Sequence, residues 1–458
     1  MIHFLTNFRD FLWGAPSLFL LGGYGIFITI KSRFYPIVAF GDLFQTIKSM
    51  KNDKKGISPL MSLSTALGGT VGIGSIIGVA YAIQTGGVGV VFWMWISGFI
   101  GMMTKFSECA LAVKHRIPKN DYFIGGTSYI LKNCGYYKVA ILFSILCILA
   151  SFGTGNLTQI NGLSQMLIQR GYSYKAISIF AFILIFIVTL KGQKFIGKAN
   201  EIIMPCASLI YLGLTSYILL INLKYLPNAL TEIISQAFGI RSIGCGISLN
   251  ILTRSFRIGF SKGVFSHEAG MGTSPIAHAS SNDATPFSQG LLGLFEVFFD
   301  TFIVGTMTAL TLIVSGETNV YNIFLLYFGK IGADIFSILL ILFVFAAMIS
   351  WCFYAESCLY FLFRKEWAAK IYRILFSLCT VIGVLMSVNY VWVISDILNI
   401  LMIIPNIFIL VLKNNEIINI IDQGKSRTLI FPFSIITNKF KRGRIDERGK
   451  NYTRRISK

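Results

Sequence analysis

Between Gly56 and Thr104 the chain carries no charged residue, and inside that run Gly68, Gly69, Gly72 and Gly74 fall within seven positions. Each glycine in a helix interior costs roughly 1 kcal/mol relative to alanine. A stretch this apolar belongs in a membrane, where unwound backbone is tolerated only if protein covers it or it lines a polar cavity. Two uses of the glycines meet that condition. They let helices pack closely through small residues, or they break a helix at mid-membrane and bare its backbone to a solute or ion.

Composition agrees on the membrane. The chain has 458 residues, 54% hydrophobic and 13% charged, with a mean hydropathy of +0.69. That is the composition of an integral membrane protein. Apolar segments near 20 residues long recur along almost the whole length, each sufficient to cross a bilayer as a helix. We read eleven spans, near 12–30, 59–83, 88–113, 139–160, 174–190, 199–222, 246–276, 288–314, 331–362, 370–388 and 391–411. The first is preceded by Arg9 and Asp10 without a small-residue cleavage site, so it reads as a retained span. The eight cysteines show neither a disulfide framework nor metal-type spacing. No phosphate-binding loop, metal cluster or nucleophile–base pair is recognisable, so no enzyme chemistry and no cofactor are expected.

A net charge of +20 could suggest nucleic acid, but the basic residues collect in alternate loops. Six lie between Lys31 and Lys55, five between Lys114 and Lys138, three between Lys191 and Lys198, and four between Arg364 and Arg373. Twelve more lie in the tail from Lys413 to Lys458. By the positive-inside rule these segments are cytoplasmic and the N-terminus is outside, which an odd number of spans permits. Residues 413–458 read as a basic cytoplasmic tail, disordered and held at the membrane surface. No nucleic-acid partner and no obligatory protein partner are expected, and the bilayer of a bacterial inner membrane is the surrounding medium.

One other segment matches the first in character. Gly259 to Pro275 combines four glycines, a proline and polar residues at membrane depth. The two lie in the second and seventh spans, five apart and running in opposite directions. That is the layout of a five-plus-five inverted repeat whose discontinuous helices face each other at the midplane.

These residues also carry a resemblance. Thr70 to Ala80, then Gly86 to Gly89, Phe92 to Trp95 and Gly101 to Glu108, resemble the first signature of the alanine or glycine:cation symporters. Ser261 to Thr273 resembles the second, and Phe299-Asp300-Thr301 with Thr306 to Ala309 continues it. The resemblance runs from about Leu12 to Leu412. It implies an all-α integral membrane protein of about eleven transmembrane helices with a LeuT-type fold. An extra N-terminal helix (12–30) would precede repeat one (about 59–222) and repeat two (about 246–411). Three positions depart from the family pattern: Ser75 and His267 stand where asparagine is usual, and Val88 where proline is usual.

The implied activity is sodium-coupled symport of a small neutral amino acid, alanine or glycine, by alternating access. A proton-coupled or facilitative permease and a non-transporting receptor remain alternatives. A substrate carboxylate wants free N–H groups at a half-helix N-terminus, which Ile73, Gly74 and Ser75 would supply, Gly74 allowing the close approach. Asn156 and Gln159, i,i+3 on the fourth span, would complete the pocket, with Thr70, Ser266, His267 and Gly270 from the two breaks. Sodium wants several oxygens, as other hard cations do. The resemblance assigns it the carbonyls of Gly68 and Val71 and, from the ninth span, Ala347 and the Ser350 hydroxyl. Glu268 and Asp300 are expected to gate the site or to bond the broken backbone. Glu108 is expected to form an interfacial ion pair with Lys105. Glu296 and Asp300, i,i+4 on the eighth span, would repel each other if both were ionised in one cavity. One of them facing the interface would relieve that.

Overall fold

The computed structural model describes residues 2–49, 56–239 and 248–425. The chain is a bundle of helices: α1 Ile2–Leu12, α2 Leu18–Lys31, α3 Tyr35–Ser49, α4 Pro59–Thr70, α5 Gly74–Gly86, α6 Val90–Lys114, α7 Thr127–Asn133, α8 Tyr137–Gln169, α9 Tyr174–Leu190, α10 Gln193–Ile221 and α11 Leu226–Ala237. There follow α12 Ser248–His267, α13 Pro275–Ala279, α14 Pro286–Ser315, α15 Val320–Phe363, α16 Glu366–Leu385, α17 Val388–Leu412 and α18 Asn414–Gly424. A short antiparallel hairpin, Ile117–Lys119 with Tyr122–Ile124, follows α6.

Among the described residues, seven helices (α6, α8, α10, α14, α15, α16, α17) are long and apolar enough to cross a membrane, or eight counting the bent pair α4–α5. The other three expected spans are helical but differ in kind. α2 and α9 are shorter apolar helices, while α12 carries Arg254, Arg257 and Lys262.

Local chemistry sets the ends of the elements that carry the site. Pro59 sits in the first turn of α4, where a missing N–H costs nothing. The Ser58 hydroxyl caps that turn by accepting from Met61 N at 3.1 Å. Thr285 and Ser288 form a reciprocal capping box ahead of α14, again with proline in the first turn. Inside α15 the backbone turns left-handed at Gly329 (φ 65°), which kinks the helix. Gly155 in α8 lets α15 cross closely, because a Cβ there would lie 2.3 Å from Trp351 Cβ.

Two segments taken as loop or tail prove to be structured. The basic stretch after Lys31 contains α3, which buries Tyr35, Ala39 and Leu43 and bonds Tyr35 Oη to Asp42 Oδ2 at 2.7 Å. The expected disordered tail begins with α18 instead, whose Ile417, Ile420 and Ile421 are buried in the bundle. Its Glu416 pairs with Lys114 at 2.9 Å and Lys413 at 3.1 Å. Against the raising effect of burial, these ammonium groups hold the Glu416 carboxyl below its usual range. An apolar stripe every three to four residues, Ile417-Ile420-Ile421, carries that docking. The rest of the tail, 426–458, lies outside the described residues.

Candidate functional site

The first break is real and falls where the glycines cluster. α4 ends at Thr70, Val71 turns extended (φ −79°, ψ 90°), and α5 restarts at Gly74 with its axis bent by 44°. Val71 N still bonds Leu67 O at 2.7 Å. Beyond it the Ile73 N–H donates to Gln159 Oε1 of α8 at 3.2 Å. The N–H expected to receive a carboxylate is thus held by a carboxamide oxygen, the only part of that side chain able to accept. The tight position is Gly72, where a Cβ would lie 2.9 Å from Gln159 Oε1 and 3.3 Å from Ala347 Cβ. At Gly74, expected to be the close approach, a Cβ would meet Phe265 and Ser266 at 3.4–3.5 Å, ordinary contact.

One carboxylate ties the two breaks together. Asp300, in an irregular stretch of α14, accepts from the Ser75 hydroxyl through Oδ1 and from Ser266 Oγ through Oδ2 at 2.7 Å. The two serine oxygens are 3.1 Å apart, and Ser75 Oγ also lies 3.3 Å from Thr70 O. All three side chains are buried. The hydroxyl that replaces the family's asparagine is therefore fully used, since a short side chain reaches Asp300 only because the second break brings Ser266 alongside. The hydroxyl of Thr70 itself turns back onto its own helix, toward Ala66 O and Leu67 O.

Ser350 of α15 stands against Gly68: a Cβ on Gly68 would lie 2.7 Å from Ser350 Oγ and 3.3 Å from Ala346 O. Only the missing side chain admits that hydroxyl, so the cradle and the glycine require each other. Ser350 Oγ accepts from Asn200 Nδ2 of α10 at 2.8 Å. One turn on, Tyr354 Oη bonds Thr65 O at 3.2 Å. Of the four residues expected to hold a cation, Gly68 and Ser350 face each other, and Ala347 lies against Gly72 in the break. Asn200 was not foreseen, because it follows the basic turn ending at Lys198 and looks like the polar start of a span.

Three expected pocket residues lie elsewhere. Asn156 points across α8 to α16, with Nδ2 donating to Phe376 O at 2.6 Å. It shares a helical face with Gln159 by spacing, but irregular turns at Gly153–Leu157 rotate the two apart. His267 accepts the Ala269 N–H at Nδ1 (3.0 Å), so its other nitrogen faces Ser97 of α6 at 3.4 Å. Gly101 makes room for this ring, as a Cβ there would be 2.9 Å from His267 Cε1. His267 therefore bonds the backbone just past α12 and turns its ring toward α6. Gly270 (φ 93°) packs against Leu21 of α2, and its carbonyl accepts from Asn406 Nδ2 at 2.9 Å.

The second break spans Glu268 to Ser274. Glu268 is left-handed at φ 52°, uncommon for a residue with a Cβ. Its Oε2 accepts from the Thr273 side-chain hydroxyl at 2.6 Å, within the same break. Glu108 is no interfacial residue. It is buried, accepts Gly272 N–H at 3.0 Å, and also accepts from Asn406 Nδ2. Nor does Lys105 pair with it. Lys105 is wholly buried, donates to Ser274 Oγ at 2.7 Å and lies 3.4 Å from Glu296 Oε1. Glu296 also lies 3.2 Å from His278 Nε2. Both carboxylates of the i,i+4 pair thus face inward. Each has its own partners, Asp300 at the breaks and Glu296 at α13, so neither is driven to the interface.

At the end of the bundle that carries α1, Lys262 of α12 lies 3.8 Å from Asp396 Oδ2 and 4.4 Å from the Trp392 ring, both on α17. Trp392 stacks on Tyr81 of α5 at 6.2 Å and lies 5.0 Å from Phe265. Lys262 lies over the rings of Tyr81, Phe265 and Trp392 in cation–π contact, and Phe265 packs against Gly74 at the first break.

The chain matches the Sodium:alanine symporter family over residues 1–427. It is 35% identical over 427 residues to an uncharacterized transporter of Haemophilus influenzae, covering 89% of this chain and 92% of that one. To the sodium/alanine symporter AgcS of Methanococcus maripaludis it is 33% identical, over 91% of this chain and 96% of AgcS. To the amino-acid carrier protein AlsT of Bacillus subtilis it is 30% identical, over 89% and 88%. Among solved structures it resembles MhsT in complex with L-phenylalanine, with a TM-score of 0.58 at 16% identity over 79% of this chain and 90% of MhsT. At that identity the likeness concerns the fold, which is the LeuT type. Two facing broken helices, an inward carboxylate between them and similarity along nearly the whole length converge on one assignment: the chain is a transporter of the sodium:alanine symporter family.

Proposed function

We propose that this protein is a sodium-coupled symporter of a small neutral amino acid, alanine or glycine, working by alternating access. The observation that carries the reading is the cradle at Gly68, where Ser350 Oγ comes within 2.7 Å of the position a Cβ would take. The first break brings that cradle beside the Ile73 N–H and the Ser75–Ser266–Asp300 bridge. The residues suit a monovalent cation: carbonyls and a hydroxyl supply oxygen without adding a full charge. The substrate carboxylate takes the Ile73 N–H and the half-helix dipole, and the Gln159 Oε1 it displaces accepts from the substrate ammonium instead. The helices from α4 to α17 then act as two inverted repeats, with α4–α5 and α12–α13 rocking against the rest.

The direct test is alanine and glycine uptake into proteoliposomes, with and without an inward sodium gradient. Accumulation of either one only with the gradient supports the reading, and equal uptake without sodium refutes the coupling. In the same assay Ser350→Ala should raise the half-saturating sodium concentration by roughly 5- to 150-fold, the worth of one lost ligand at about 1–3 kcal/mol. An unchanged sodium dependence would place the ion elsewhere.

Gln159→Leu keeps the volume but removes the atom that holds the break. The half-saturating alanine concentration should rise by about tenfold or more, through loss of roughly one to two hydrogen bonds. Parent-like kinetics would remove α8 from the pocket.

The loop charges put the N-terminus outside and the C-terminus in the cytoplasm of a bacterial inner membrane. A phosphatase fused after Lys458 should therefore be inactive, and activity there would reverse the orientation.

A further inference from the structure

We propose that Asn200 is a direct ligand of the transported cation, its Oδ1 supplying the oxygen that closes the cradle of Gly68, Ala346 and Ser350. This rests on the sodium reading above and adds to it a third helix, α10. Asn200 is wholly buried, yet only half of its carboxamide is used. Nδ2 donates to Ser350 Oγ at 2.8 Å, whereas Oδ1 has no hydrogen-bond partner among the described residues. A buried amide oxygen left bare is costly, and natural structures avoid it unless something else occupies the acceptor.

The position of the carboxamide says what that is. A Cβ built on Gly68 would lie 2.7 Å from Ser350 Oγ, 3.3 Å from Ala346 O and 3.3 Å from Asn200 Cγ. Oxygen-bearing groups from α10 and α15 therefore converge on one bare point of α4, beside the extended Val71. Donation from Nδ2 occupies one lone pair of the Ser350 oxygen and leaves the other for an ion, so Asn200 both orients that ligand and adds its own. Every oxygen in the set is neutral. Such a site repays the dehydration of a single positive charge but not of two, which selects a monovalent cation over calcium or magnesium.

The experiment is equilibrium binding of radioactive sodium to the purified full-length chain without amino acid, comparing the parent with Asn200→Leu, Asn200→Asp and Ser350→Ala. Asn200→Leu should raise the half-saturating sodium concentration by about tenfold or more, as loss of one ligand oxygen does. Asn200→Asp keeps an oxygen and adds a charge, so it should bind sodium at least about threefold more tightly and become sensitive to calcium competition. A residue that only packs against Ser350 would instead make the aspartate variant as weak as the leucine one, and that result overturns the proposal. Weak binding by Ser350→Ala with parent-like binding by Asn200→Leu rejects Asn200 and leaves the sodium reading standing. Parent-like binding by all three variants rejects Asn200 and places the ion away from this cradle. Should the leucine variant fail to fold, the aspartate variant alone decides, because its gain in affinity has no structural counterpart.

Discussion

Replacing Asp300 with leucine should lower amino acid uptake by about 100-fold or more while leaving the protein in the membrane. The carboxylate takes hydroxyl bonds from Ser75 on one broken helix and Ser266 on the other. A bond to a charged group contributes about 1.5–3 kcal/mol, so losing both removes roughly 3–6 kcal/mol. This tether exists only when the two breaks face each other, so its loss falls on the closed state that transport must pass through. Asp300→Asn keeps one acceptor oxygen and no charge and should fall between parent and leucine. The measurement is the initial rate of uptake at saturating sodium, normalised to the amount of inserted protein. Parent-like rates for Asp300→Leu would mean that the breaks close without the bridge.

Glu296→Leu should act on stability first. Lys105 is wholly buried, with Ser274 and Glu296 as its polar partners among the described residues, and His278 leans on the same carboxylate. Removing one partner of a buried ion pair costs about 3–5 kcal/mol, chiefly because the other charge is stranded. The variant should give little folded protein and melt well below the parent in detergent. Adding Lys105→Met removes the stranded charge and should recover most of the loss. A single variant as stable as the parent, or a double variant no better than the single one, would show that the pair contributes nothing. Glu296 and Asp300 are one helical turn apart on α14, so one helix grips α13 through the first and both breaks through the second. Loss of either is felt at the second break, but only loss of Asp300 leaves the fold intact.

Much of this architecture is legible in the residues. Charge-free apolar runs leave no alternative to membrane helices, and the glycines at 72, 74, 270 and 272 mark the two breaks, Gly270 and Gly272 taking the left-handed turns that glycine makes most cheaply. The facing of Gly68 and Ser350 was implied by the family resemblance and not by the residues alone. Side-chain direction was not. Asn156 and Gln159 share a face at helical spacing, yet a local irregularity at Gly153–Leu157 sends one to α16 and the other to the break. His267 sits in the motif beside Ser266, but its ring turns to α6 and holds the Ala269 N–H within the second break.

Buried charges resisted reading for a related reason. Lys105 and Glu108 are three residues apart and suggest a local pair, whereas their partners, Glu296 and the Gly272 N–H, lie more than 150 positions away. Sequence by itself determined the membrane character, the long apolar helices and the places where helices break, because these follow from short-range chemistry: apolarity, charge and backbone freedom. Only the tertiary structure decided which polar atom answers which. In a medium without water every buried donor and acceptor must find its partner inside the protein, and that partner is chosen by helix rotation and crossing, which no local pattern encodes.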